Sequence, residues 1–131
     1  KKVFLMVAGS AVQKFGQDLE EHQQLLLAAS DILIEAYMAE SGILRAEKNV
    51  KRLGEDAQKE QIAMAKLYLY HAVDTVNQKA KEGIASFAEG DEQRMMLMGL
   101  KRFTKYDRMP NVVELRNTIA EKLTSENKYC F

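Results

Sequence analysis

Residues 25–53 read LLLAASDILIEAYMAESGILRAEKNVKRL, and this stretch decides the fold class. Leu25, Ala29, Ile32, Ala36, Ala39, Ile43, Ala46, Val50 and Leu53 follow one another at alternating steps of four and three. An average step of about 3.5 residues is the seam of a helix in left-handed helix packing. Four of these nine positions are alanines, and small side chains let a neighbouring helix axis come close. Gly54 supplies a C-terminal stop. Upstream, Asp18 and Glu21 stand at the spacing of a capping box. The pattern therefore predicts one helix from residue 18 to residue 53, roughly 54 Å long at 1.5 Å per residue.

Working outward, Ile62, Ala65, Leu69, Ala72, Val76, Ala80, Gly83 and Phe87 repeat the threes and fours, which predicts a second long helix from about Asp56 to Phe87. Two long helices with small-residue seams, joined across Gly54, are expected to lie antiparallel. Before them, Phe4, Ala8, Ala11, Val12 and Phe15 form an apolar stripe that ends at Gly16. After them, Gly90 is expected to stop the second long helix and Asp91 to cap a further helix running to about Lys105. Asn111 and Glu114, just behind Pro110, give another capping-box pattern, with Leu115, Ile119 and Leu123 as the buried face that follows. Alternation of β-branched or aromatic with polar residues is absent over more than a few positions, so strands are not expected. The expected fold is all-α: an antiparallel helical bundle of four to five helices with two long central ones. With one proline and no linker-like stretch, residues 1–131 are expected to form a single domain.

Composition removes several functions. Nineteen basic residues balance nineteen acidic ones, whereas a protein that neutralises many phosphates should be basic; no nucleic-acid partner is expected. No run of about 20 apolar residues exists to span a bilayer. The single cysteine, Cys130, excludes an intrachain disulfide and a cysteine-based zinc site. Val3–Ala8 is too short for a signal peptide, and Lys128-Tyr129-Cys130-Phe131 is not a prenylation box. Because the chain opens on Lys1-Lys2 rather than on Met, it is expected to be either a piece of a longer protein or a processed one.

Catalytic constellations are equally scarce. A di-iron bundle needs Glu-x-x-His on two helices, but Leu19 precedes His22 and Tyr68 precedes His71 at that spacing. His71 and Asp74 share a helix face and could orient an imidazole as a base. No nucleophile stands beside them, so they read as a surface pair with Gln78 and Lys81. Glu40, between Ala39 and Ile43, reads as pairing with a cation or reaching solvent. No glycine-rich phosphate loop is present, and nothing around Cys130 specifies chemistry for its thiol. Catalytic, cofactor-binding and metal-ligating residues are therefore not expected in this chain.

The most distinctive segment is Arg94-Met95-Met96-Leu97-Met98-Gly99-Leu100-Lys101-Arg102-Phe103. At 100° per residue Arg94, Lys101 and Lys105 share a face with Arg102 nearby, while Met96, Leu100 and Phe103 lie opposite. Arg94–Arg108 holds five basic residues and one acidic residue. A basic amphipathic helix suits an anionic membrane or an acidic partner; the plainer reading is a core-packing helix with a solvated basic side. Arg94, Met95, Met96, Met98, Lys101, Arg102 and Lys105 are the candidate interface.

Four stretches carry a family resemblance: Val7–Lys14, Gly83–Asp91, Arg94–Phe103 and Asn127–Phe131. Together with the order of elements, they resemble the C-terminal helical extension of long-chain and very-long-chain-like acyl-CoA dehydrogenases, especially bacterial ones. The resemblance implies an FAD-dependent enzyme of fatty-acid β-oxidation, located in the cytoplasm, whose catalytic core precedes this chain. It implies no FAD site within the fragment, because neither the core's base nor a flavin-contact motif has a counterpart here. In mitochondrial very-long-chain relatives the corresponding region is associated with the membrane surface and the dimeric assembly. The partners implied are the dehydrogenase core and a homodimer mate, with a peripheral membrane contact as a further option. Two other classes stand beside this reading: a free-standing module gripping a partner helix through its alanine seam, and a peripheral membrane binder using the basic helix.

Overall fold

The first helix stops where Gly16 takes φ +54°, a left-handed conformation that a side chain disfavours. In the computed structural model, which describes residues 1–128, five α-helices follow one another: α1 (Lys2–Phe15), α2 (Gln23–Leu53), α3 (Lys59–Phe87), α4 (Gly90–Phe103) and α5 (Val112–Glu126). Short 3₁₀ turns occupy Gly16–Glu21 and Asp56–Gln58. No strand occurs among the described residues. The fold is all-α, as the periodicity predicts. Tyr129, Cys130 and Phe131 lie outside the described residues, and with them the Cys130 thiol and the end of the Asn127–Phe131 stretch.

Helix boundaries follow local chemistry, with two corrections. Asp18 does not open α2. It lies inside the 3₁₀ turn, and α2 begins at Gln23, with the Leu25 and Leu26 amides bonded to the His22 carbonyl. Asp91 does not cap α4 either. Glu89 is the N-cap, in extended conformation, and Asp91 and Glu92 sit in the first turn, where carboxylates favour the helix dipole. At the other end of α2, Gly54 (φ +88°) donates its amide to the Val50 carbonyl at 2.9 Å. Asn111 caps α5 as its sequence position suggests, its side chain accepting the Glu114 amide at 3.3 Å.

The chain divides into two compact units. Lys1–Tyr37 with Ala72–Asp107 forms the first; Met38–His71 with the segment from Arg108 onward forms the second. α2 and α3 each contribute to both.

The first unit holds the core. Val3, Val7, Ala11, Leu25, Ile32, Ala80, Ile84, Phe87, Ala88, Met96 and Leu100 form one buried cluster. α2 and α3 run antiparallel here: Leu25 lies against Gly83, and the Lys79 ammonium is 3.5 Å from the Asp31 carboxylate. The buried stripe of α1 is shifted from the expected one. Val3, Val7 and Ala11 face the core at steps of four, while Val12 is 54% exposed and Phe4 and Phe15 are half-buried. Phe15 stacks on the His22 ring at 3.6 Å between centroids and meets Phe87 edge-on at 6.2 Å. These contacts hold the 3₁₀ turn against the C-terminus of α3. The carbonyls left open at that terminus are satisfied by side chains: Lys14 Nζ donates to Phe87 O, and Gln93 Nε2 donates to Ala88 O at 2.9 Å.

The second unit is thinly packed. Among its described residues the buried hydrophobic ones are Ala39, Ala46 and Ala63, joined by Gln58. Asn49 Nδ2 donates to Gln61 Oε1 at 2.8 Å across the α2–α3 pair. The expected buried face of α5 is not buried: Leu115 and Ile119 are intermediate and Leu123 is 40% exposed. Leu53 and Leu69, read as seam residues, are also exposed, because no described helix lies over them.

Candidate functional site

Two surfaces stand out, and each is built by its flanking helices. The first is α4. Its inner side is fixed to the core by Met96 and Leu100, which are 7% and 1% exposed. A Cβ on Gly99 would stand 3.1 Å from Met6 Sδ, so the absence of a side chain there lets α1 approach α4 closely. At the C-terminus, Thr104 Oγ1 donates to the Leu100 carbonyl at 2.9 Å and accepts from Asn77 Nδ2 at 2.8 Å. This pair of bonds ties the end of α4 to α3.

With the inner side so fixed, the outer side is determined. Arg94, Lys101, Arg102 and Lys105 are exposed, and Met95 and Met98 stand among them at 66% and 59% exposure. The structure thus brings six of the seven candidate interface residues to the surface and puts Met96 in the core. Phe103, expected on the inner side with Met96 and Leu100, is 42% exposed. It carries the Lys2 ammonium 5.8 Å from its ring centroid, a cation–π distance. The core ends at Leu100, one turn too early to cover it.

The second surface lies in the second unit, along α2 and α3 on either side of Ala46 and Ala65, which line two grooves. One side holds a groove of about 440 Å³ lined by Ile43, Ala46, Val50, Ile62, Ala65 and Leu69, with charged residues at its rim. The other side holds a groove of about 430 Å³ that includes Met38, Met64 and Tyr68. The seam pattern named these aliphatic residues as a packing face, yet only Ala46 is buried, Leu69 is exposed and the others are half-buried. Its signal concerned which face they share, and nothing in it said whether a third helix covers that face.

His71 Nε2 lies 3.4 Å from Arg116 Nη2 on α5, and Tyr70 meets the ring at 5.4 Å. Glu40 is exposed. No group of three or more His, Cys, Asp or Glu residues among the described ones could hold a metal ion. The first groove is aliphatic with charged residues among its lining, and the second also carries Ser41, Arg45, Gln61 and Tyr68. No described helix is long and apolar enough to cross a membrane.

These features describe an all-helical chain with a basic, methionine-bearing helix surface and two grooves. Comparison with known proteins gives the family. The family model for the acyl-CoA dehydrogenase C-terminal domain matches residues 1–102. A probable acyl-CoA dehydrogenase of Bacillus subtilis (strain 168) is 30% identical over 129 residues, covering 98% of this chain and 22% of the relative. The crystal structure of an acyl-CoA dehydrogenase complexed with FAD from Bacillus anthracis matches with a TM-score of 0.94 at 33% identity, covering 99% of this chain and 23% of that one. The chain belongs to the acyl-CoA dehydrogenase C-terminal domain family. It spans less than a quarter of the length of these relatives.

Proposed function

We propose that the 131 residues act as one non-catalytic C-terminal domain of an FAD-dependent acyl-CoA dehydrogenase of fatty-acid β-oxidation. The domain packs on the catalytic part of its own polypeptide or on a homodimer mate. The observation that carries this reading is the match itself: nearly all of this chain aligns with under a quarter of a relative whose structure contains FAD. The flavin and the acyl-CoA are held elsewhere in the polypeptide, in the more than three quarters of the relatives' length that this chain does not span. When bound, the flavin supplies the oxidant for the acyl chain; the residues of this chain supply apolar surface.

The test is to express the complete reading frame and the 131-residue chain separately. The complete protein is expected to show a flavin absorbance spectrum and to turn over an acyl-CoA, and the chain alone to do neither. A complete protein with no flavin and no acyl-CoA oxidation overturns the reading.

The exposed basic side of α4 favours a second reading, a peripheral contact with anionic lipid in the cytoplasm through Arg94, Lys101, Arg102 and Lys105, with Met95 and Met98 entering the interfacial layer. Cosedimentation with phosphatidylserine vesicles at low salt, lost when the four cations become glutamine, is the expected result. No cosedimentation at low salt removes it.

A further inference from the structure

We infer that the aliphatic groove of the second unit is the seat of an amphipathic helix from the catalytic part of the same polypeptide. This rests on the reading just given and assigns the contact to a place. The groove is made by residues three, four and seven apart on each wall, Ile43, Ala46 and Val50 on α2 and Ile62, Ala65 and Leu69 on α3. Such spacing is the complement of a helix laid between two others. The alanines at its floor bring the two walls low enough for a third axis to approach.

Two observations say that something covers it. The second unit buries no hydrophobic side chain larger than alanine among its described residues, while the first unit has a full aliphatic core. The α2–α3 pair of that unit buries little apolar surface to offset the entropy of ordering it, so its apolar walls call for a further layer. Second, the relatives carry more than three times as much additional chain as is present here, and that chain is the source of the layer. The rim carries both signs, Glu47 and Glu55 with Lys51 and Lys66. A mixed rim suits a helix flanked by both charges and disfavours an anionic lipid surface.

Single-cysteine variants of the complete protein test this, in a background free of other reactive cysteines. Val50→Cys and Leu69→Cys line the groove, and Lys48→Cys lies on the outer face of α2 as the reference. Maleimide labelling of the first two is expected to be at least tenfold slower than at the reference. In parallel, Leu69→Glu is expected to speed proteolytic release of the chain at least tenfold while the flavin spectrum stays unchanged. Equal labelling at all three positions, in a protein that binds flavin and oxidises acyl-CoA, overturns the groove assignment and leaves the proposed function standing. Slow labelling that becomes fast on dilution from dimer to monomer assigns the groove to a second copy and also overturns it. Loss of flavin and turnover in the unmodified protein overturns the underlying reading, and the assignment with it.

Discussion

Gly83 of α3 lies so close under Leu25 of α2 that a Cβ at position 83 would stand 3.3 Å from Leu25 Cδ1, and equally close to Val7 Cγ1. Three helices meet at this point, and the missing side chain sets their spacing. Two effects oppose each other on replacement. Alanine gains up to about 1 kcal/mol of helix propensity, and crowding against two buried methyl groups removes much of it. Gly83→Ala is expected to change stability by less than about 1 kcal/mol, and Gly83→Leu to destabilise by about 3 kcal/mol through overpacking. Urea unfolding midpoints at unchanged slope measure both.

The two faces of α4 should separate cleanly by mutation. Leu100 is 1% exposed and Met95 is 66% exposed. Leu100→Ala is expected to cost about 2–5 kcal/mol from lost burial and the cavity left behind. Met95→Ala, by contrast, should stay within about 0.5 kcal/mol of the parent. A comparable loss at both positions in thermal unfolding would mean that α4 is rotated from the orientation described.

Charge at the α2–α3 contact predicts a pH profile. The Glu82 carboxyl is held below its ordinary range by hydrogen bonds from Gln78 and from Lys79, the latter 3.2 Å away. Lys79 is raised above its ordinary value by Glu82 first and Asp31 second. A lowered carboxyl pKa stabilises above the unfolded value, and that stabilisation is lost as pH falls through the folded one. A raised lysine pKa stabilises below the unfolded value and is lost as pH rises through the folded one. The stability difference between the parent and Lys79→Met is therefore expected to be flat across neutral pH and to vanish in acid and in strong alkali. Because the groups are exposed, the difference is small and falls with added salt.

Asn111 holds the start of a helix that has no buried residue of its own. Its loss should therefore appear locally. Asn111→Ala is expected to cost about 1 kcal/mol and to speed amide exchange in the first turn of α5, leaving α1 and α4 protected. Hydrogen exchange resolved by peptide is the measurement, and unchanged exchange in α5 would show that the cap contributes nothing.

The exposed side of α4 is partly legible in the sequence, as the methionine-rich segment illustrates. Its basic residues repeat at steps that place Arg94 and Lys101 on one side of any helix, and both are exposed. The methionines carry no such mark. Met95, Met96 and Met98 are alike in composition and adjacent in sequence, yet Met96 joins the core and the other two face outward. Adjacent helical positions differ by about 100°, so a rotation smaller than that exchanges which of them is buried. Packing of Met96 and Leu100 against α1 chose the rotation.

The same division holds across the chain. Helix type, helix number and the glycines that end α1 and α2 are local properties, determined by propensity, by period and by backbone freedom at Gly16 and Gly54. Near neighbours along the chain are enough to set these, together with the Asn111 cap, whose partner amide is three residues away. The tertiary structure alone decided what depends on residues far apart. It turned Asp18–Glu21 into a 3₁₀ segment held by the Phe15, His22 and Phe87 rings, and it moved the buried stripe of α1 onto Val3, Val7 and Ala11. It also left the α2–α3 seam filled at Ile32 and Ile84 but open at Val50 and Leu69. Period states which residues share a face. Whether that face is buried depends on the element laid against it, which no local pattern specifies.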